Sequence, residues 1–475
     1  MNRHESMGSA DDKQQANPTS NEPMVPFKTL GQSRPLPFQN FRNYRKLPIT
    51  DRNLFMAAVA AYYHGSIAKG RPWRTALKYG KRWLFRVPRE IAYMVWHHSG
   101  QTRKLYGKTV LQQLAEILRL YIRNGIGADE YYQGGLASVG RAEHDLMVPY
   151  WMYRDALYFS MKVDRSHKTV QRICSKSGLT EMVRDAGFNA PKTLALIDPN
   201  APNEDTQFPA IEQSFFVKPD RGSQGRHAER WVLRQDGFFL ANRNLTVPKD
   251  DIVDHLMAKA QAIGLPLVVQ ELVENKDAMK KWAGNALSTA RIITSLPPGQ
   301  TAKLGPAMVR IPAGKESSVD NIAHGGMGFH VDAHSGVLAL GYSEAGFGPA
   351  DFSRHSAVTG AEMTGSIVPG WHQATKMVTK LHETLTDLPV IGWDVGFSEK
   401  GPTVIEANMP TGINPPDQVK LGGFFTWTVA SCMVEHIAIR LKETQPKGSR
   451  FLVGAECPPL LEIDRPAAPG SNTAR

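Results

Sequence analysis

Asp394, Glu406 and Asn408, within GWDVGFSEKGPTVIEANMPTG (residues 392–412), have the types and spacing to hold a hard cation. They interrupt an apolar run punctuated by glycine, and a buried carboxylate without a partner normally changes its protonation state or finds a positive charge. The stretch reads as a hairpin: one strand through Asp394, a loop at Glu399, Lys400 and Gly401, and a returning strand through Glu406. A three-residue loop ending in glycine is a favoured connection because that position wants a positive φ. In this register Asp394 lies opposite Glu406, and Asn408 shares the face of Glu406 while Ile405 and Ala407 point the other way. Two carboxylates and an amide oxygen on one face are donors that Mg²⁺ takes when it also holds nucleotide phosphates. The alternative is that Asp394 caps a turn and Glu406 pairs with a lysine. The metal reading therefore needs a phosphate site.

FFVKPDRGSQGRHAERWVL offers one, with a strand ending at Lys218 and a loop of Gly222, Ser223, Gln224, Gly225 and Arg226 before a second strand. Glycines let backbone N–H groups approach phosphate oxygens, and a lysine on the strand adds a point charge. The loop lacks Gly-Lys-Ser/Thr and precedes a strand, so it is not a P-loop; a plain hairpin turn is the alternative. In LPLVVQELVEN, the backbone of Glu271, Leu272 and Val273 could meet an adenine edge, with Glu274 near the ribose hydroxyls; otherwise the string is a buried strand reaching solvent. Arg291, in STARIITSL, and Arg310, in AMVRIP, are candidates to neutralise charge on a transferring phosphoryl group, or to make structural ion pairs.

Other chemistries fit less well. His324, His330 and His334, in HGGMGFHVDAH, have neither HExxH nor ordinary zinc spacing, and their glycines favour a loop. No GxSxG elbow accompanies the HGG, which removes the esterase reading. Cys174, Cys432 and Cys457 are too scattered for a disulfide framework or a zinc site.

The elements that must position these residues change character along the chain. Residues 1–46 are polar and aperiodic and read as a tail, as do residues 446–475. From 47 to 158 the signals are helical: TVLQQLAEILRLYIRNG predicts a helix with Val110, Leu114, Ile117, Leu118 and Tyr121 on its inner face and a stop at Gly125. Positive charge concentrates there, in KGRPWRTALKYGKRWLFRVPRE and RKLYGK. The expected arrangement is a solvated basic face with Trp73, Trp83 and Trp96 packed inward; the other is contact with a membrane or other anionic surface. No nucleic-acid signature accompanies the charge. From about 205 onward, short strand-like runs alternate with a helical repeat in PGWHQATKMVTKLHETL. The formal net charge of +11 points to an acidic partner without choosing one, and with no apolar run of membrane-spanning length or secretory signal the cytoplasm is the default expectation.

This order of parts, from lysine strand and glycine loop through an apolar hinge and arginine strand to an Asp…Glu-x-Asn hairpin, resembles the ATP-grasp superfamily. The similarity is closest to its sugar-transfer-associated proteins, through VKPDRGSQG, STARIITSL, DNIAHGGMGFHVD, IGWDVGFSEKGPTVIEANMPTG and the upstream YYQGGL, over roughly residues 110–440. The resemblance implies an α+β ATP-grasp fold, two lobes clasping ATP, after the helical N-terminal region. An N-terminal subdomain would cover 159–207 and the nucleotide-binding lobes 208–445. It further implies Lys218 on the α/β-phosphates, the Gly222–Arg226 loop as a lid, and Asp394, Glu406 and Asn408 holding one or two Mg²⁺, with Mn²⁺ as an alternative. Lys176 stands where such proteins carry a second nucleotide lysine; a helix-surface lysine is the other reading. Gln270 departs from the commoner acidic hinge, and Arg291 matches the family's arginine strand better than Arg310 does.

The implied reaction is ATP-dependent ligation of a carboxylate to an amine or thiol through an acyl phosphate, releasing ADP and phosphate. A cell-surface saccharide or its amino-acid substituent is the implied substrate context. A phosphotransferase on the same fold and a non-catalytic nucleotide-binding scaffold are the rivals.

Overall fold

The computed structural model describes residues 50–68, 72–164, 166–200, 211–222, 225–312, 314, 326–343, 352–413 and 415–443. The sequence tails, Ser223, Gln224, His324 and Cys457 lie outside these residues, and the side chains of Trp73 and Trp83 are likewise not described. The helices are α1 (Asp51–Ala68), α2 (Pro72–Tyr106), α3 (Val110–Asn124), α4 (Ala128–Gln133), α5 (Arg141–His144), α6 (Tyr150–Ser160), α7 (Lys168–Cys174), α8 (Lys176–Asp185), α9 (Ile252–Ile263), α10 (Asp277–Ala283), α11 (Trp371–Glu383), α12 (Pro415–Lys420) and α13 (Thr428–Glu443). The strands are β1 (Thr193–Ile197), β2 (Phe215–Pro219), β3 (Glu229–Arg234), β4 (Gly237–Leu240), β5 (Leu245–Val247), β6 (Leu267–Glu271), β7 (Thr289–Ser295), β8 (Lys303–Ile311), β9 (Met327–Val331), β10 (Leu338–Ser343), β11 (Val390–Ser398) and β12 (Gly401–Asn408). Among the described residues no helix is long and apolar enough to cross a membrane.

The strands form two six-stranded antiparallel sheets, ordered β1-β6-β2-β3-β4-β5 and β10-β9-β8-β7-β11-β12. The first has its core between its inner face and α9, where Phe215, Trp231, Phe238 and Leu256 meet. The second is covered on one face by α11, α10, α8 and α7, through Ile292, Val309, Phe329, Trp393 and Val404. Because side chains alternate across a sheet, Arg291, Ile293 and Asp394 fall on the opposite face. There Ile293 and Val390 are sealed by α1, α6 and α13, while the stretch beyond them carries charge. One sheet face therefore runs from an apolar half into a polar half.

Most strand and helix expectations hold, and three particulars are corrected. The β11–β12 connection is a two-residue turn, Glu399–Lys400, with Ser398 paired to Gly401, which begins β12 at φ +100°. Helix α3 runs from a Thr109 capping box to Gly125, but its buried residues are Gln113, Ile117, Leu120, Tyr121 and Asn124. Val110 and Leu118, expected inside, are exposed. Buried hydrogen bonding turns the helix: Gln113 Nε2 donates to Ser99 O and Lys108 O, and its Oε1 accepts from Tyr132 Oη. Trp96 also departs from expectation, being 84% exposed. Cys174 and Cys432 are free thiols.

Candidate active site

The hairpin register is the expected one: Asp394 pairs with Glu406, and Asp394 also pairs with Arg291 on the neighbouring strand β7. Continuing across the sheet, Arg291 faces Met308 and Met308 faces His330, so Glu406, Asp394, Arg291, Met308 and His330 form one row on one face. Arg310, two residues along β8 from Met308, joins this face from the next row. Buried Asp394 receives two guanidiniums: Arg291 donates from Nε to Oδ1 and from Nη2 to Oδ2 (3.1 Å), and Arg310 Nη2 lies 2.9 Å from Oδ2. Burial opposes ionisation of Asp394, but Arg291 and Arg310 outweigh it and hold the carboxyl well below the usual carboxylate range. Thr289 Oγ1 and Thr411 Oγ1 accept from Arg310 and Arg291 and fix both side chains. Gly392 leaves room for this: a Cβ there would come within 2.0 Å of Thr411 Oγ1 and 3.2 Å of Arg291 Cδ.

Two lysines reach the hairpin from the other side. Lys218, at the end of β2, donates to Ile405 O at 3.4 Å, and Lys176, at the start of α8, lies 3.6 Å from Glu406 Oε1 and donates to Gly222 O at 2.7 Å. Both are buried. Burial lowers the Lys218 ammonium to about 8, against the pull of Glu406 and with the push of Lys176. The alternative of a surface lysine at 176 does not hold, because α8 is tied down at its start. Asp220 Oδ1 accepts from Ser177 N and Oδ2 from Ser175 Oγ, each at 2.8 Å. Asp220 is a site-building residue that the sequence reading passed over; its only signal was its place next to the lysine strand.

The remaining candidates fall into place unevenly. Gly222 meets the site through its carbonyl, while Gly225 and Arg226 are on the exposed part of the loop. Gln270 is buried and donates to Thr180 Oγ1 at 2.9 Å, joining β6 to α8. The Glu271 N–H expected for adenine is already given to Lys192 O, and its carboxylate accepts from Lys192 N and meets Lys400. That leaves Leu272 and Val273, both half-buried, as the hinge backbone. Glu274 is exposed and 3.6 Å from Arg230. His330 is buried on β9, whereas His334 lies in the turn that follows, so these two do not converge as a metal site.

Four cationic side chains thus surround the two hairpin carboxylates, with Asp220 spent on Ser175 and Ser177. As a metal site the donor set fits in part. Glu406 and the Asn408 amide oxygen are disposed on one face, but both Asp394 oxygens are engaged by arginines, and Asn408 Nδ2 donates to Oδ2 at 3.3 Å. Among the described residues no cluster of three or more His, Cys, Asp or Glu side chains could hold a metal. Lys176, Lys218, Arg291 and Arg310 therefore outnumber the carboxylates of Asp394 and Glu406 that they face.

Two α+β lobes with a lysine from each meeting an acidic hairpin define an ATP-grasp fold. Residues 157–427 match the family described as sugar-transfer associated ATP-grasp, and the chain belongs to that family. Solved structures similar to this chain include D-alanine–D-alanine ligase from Bacillus anthracis, at 11% identity, covering 57% of this chain and 70% of that one with a TM-score of 0.33. The D-alanine–D-alanine ligase from Helicobacter pylori matches at 10%, 58%, 62% and 0.32 in the same order. An L-amino acid ligase from Bacillus licheniformis matches at 12%, 50%, 41% and 0.29, so this chain spans less than half of that protein. A search of curated proteins returns no match.

Proposed function

We propose that the protein is an ATP- and Mg²⁺-dependent ligase that activates a carboxylate as an acyl phosphate and passes it to an amine or thiol. The observation that carries this reading is the meeting of buried Lys176 and Lys218 with half-buried Arg291 and Arg310 around Asp394 and Glu406, an excess of positive charge that a nucleotide's phosphates would neutralise. Lys218 and Lys176 bind the phosphates as point charges, and Leu272 and Val273 present backbone to the base. Glu406 and Asn408, with Asp394 beside them on the hairpin, would hold Mg²⁺. Bound there, the metal would supply positive charge to the phosphate oxygens. Arg291 and Arg310, already side by side, stabilise charge on the phosphoryl group as it moves to the carboxylate. A saccharide or its amino-acid substituent as substrate rests on the family's name alone.

ATP turnover tests the reading. A screen of carboxylates, amines and sugars should find ADP and phosphate released only when both co-substrates are present. A stable phosphorylated product would make the protein a phosphotransferase, and nucleotide binding without turnover of any kind would make it a scaffold.

A further inference from the structure

The helical hairpin α2–α3 turns apolar side chains outward. On α3, Leu111, Leu118 and Ile122 recur at helical spacing on the face opposite the buried Gln113, Leu120 and Asn124, with Leu111 79% exposed and Ile122 53%. On α2, Phe85, Arg89, Ala92 and Trp96 recur at the same spacing and are all exposed. Charge is equally uneven: residues 72–124 contain eleven Lys or Arg and two acids, Glu90 and Glu116, so this hairpin holds most of the chain's excess of +11. Glu116 is engaged internally by Lys108 at 2.6 Å and by Tyr131. Arg123 is paired with Asp145 at 3.3 Å, while Arg89, Arg103 and Lys104 are exposed on α2.

An apolar face bordered by cations needs an occupant that is both apolar and anionic. A second copy would bring the same positive hairpin against its own. Residues 1–49 and 444–475 are not net acidic, with seven Lys or Arg against four Asp or Glu and four against three. Nucleic acid has the charge, and Phe85 and Trp96 offer π-faces, but the aliphatic Leu111, Leu118 and Ile122 of α3 give a base nothing to stack on. An anionic lipid surface meets both requirements, with aliphatic and Trp side chains at the headgroup boundary and guanidiniums on lipid phosphates.

We propose that the outer faces of α2 and α3 dock the protein on anionic membranes, independently of the reaction at the nucleotide site. The test is co-sedimentation of the full chain with phosphatidylcholine vesicles, with and without phosphatidylserine. Binding is expected with phosphatidylserine and should weaken as salt is raised. The triple variant Leu111→Asp, Leu118→Asp, Ile122→Asp should partition about tenfold less or weaker still, because its inserted apolar area is gone. These positions are exposed, so its thermal unfolding and nucleotide binding should match the wild type. Arg103→Glu with Lys104→Glu should lose about tenfold of the preference for phosphatidylserine. Failure to bind phosphatidylserine vesicles would overturn the proposal. So would wild-type partitioning of the triple variant, preference for DNA or RNA over vesicles, or binding that vanishes only when residues 1–46 are deleted.

Discussion

The two sheets are matched in strand number and in being antiparallel throughout, yet they bury charge in opposite ways. In the second sheet Asp394 sits between Arg291 and Arg310, so its charge is neutralised by neighbouring strands of the same sheet. The first sheet pairs its own buried acid, Glu229, with Lys259 at 2.7 Å, whereas Lys218, though drawn by Glu406 across the cleft, donates among the described residues to a carbonyl, Ile405 O, on the other sheet. A paired buried charge holds a structure in register. A desolvated one without a carboxylate in contact is a cost that an anionic ligand can reduce. The helical region shows a third solution: burial, with Asp129 nearby, pushes Glu130 up to about 8, so that it is largely protonated at neutral pH.

The contrast can be broken most forcefully at Asp394. Asp394→Asn strands two guanidiniums, and should lower unfolding stability by about 3 kcal/mol as well as abolish ATP turnover; unaltered denaturant unfolding would show that the second sheet does not depend on the pair. Glu406→Gln keeps shape and hydrogen bonding, so its fold should persist while Mg²⁺-dependent ADP release falls about a hundredfold or more. Retained turnover in this variant would remove Glu406 from the metal site. Lys218→Met should act on binding alone: nucleotide affinity measured by calorimetry should drop roughly tenfold to a hundredfold, while the free protein becomes no less stable. A loss of stability on that substitution would mean the first sheet's lysine is structural after all.

The smallest effect concerns Glu130. Its folded pKa of about 8 lies above the ordinary value of 4.5, so the folded state binds the extra proton in that window. The stability this provides is complete below about 4.5 and is lost as pH rises through about 8. Glu130→Gln should therefore flatten thermal stability across that range and be more stable than wild type at its alkaline end. An identical pH profile in both proteins would show that Glu130 does not titrate differently on folding.

How much of this was legible in the sequence varies with the range of the interaction. The hairpin register could be read because strand periodicity is strict and Gly401 marks the turn, although the turn proved one residue shorter. Lys218 and the arginine strands were visible from local pattern. The pairing of both arginines with Asp394 was not, since either could equally have faced a ligand until β7 and β8 were laid beside β11. Lys176 was ambiguous for the same reason: its burial depends on Asp220, 44 positions away. The inner face of α3 was misread because apolar spacing cannot show that a glutamine, Gln113, would take the core position by hydrogen bonding on three sides.

By itself the sequence determined the short-range facts: which segments are helix or strand, the donors on the Asp…Glu-x-Asn hairpin, the glycine-bordered lysine, and the concentration of positive charge before residue 125. Those follow from backbone geometry and composition, which act over a few residues. Tertiary structure alone decided which charges neutralise one another and which are left for a ligand, because desolvation and ion pairing depend on what other segments bring within a few ångströms. It also decided which side of α3 faces water, and with it where an apolar, cationic surface is offered.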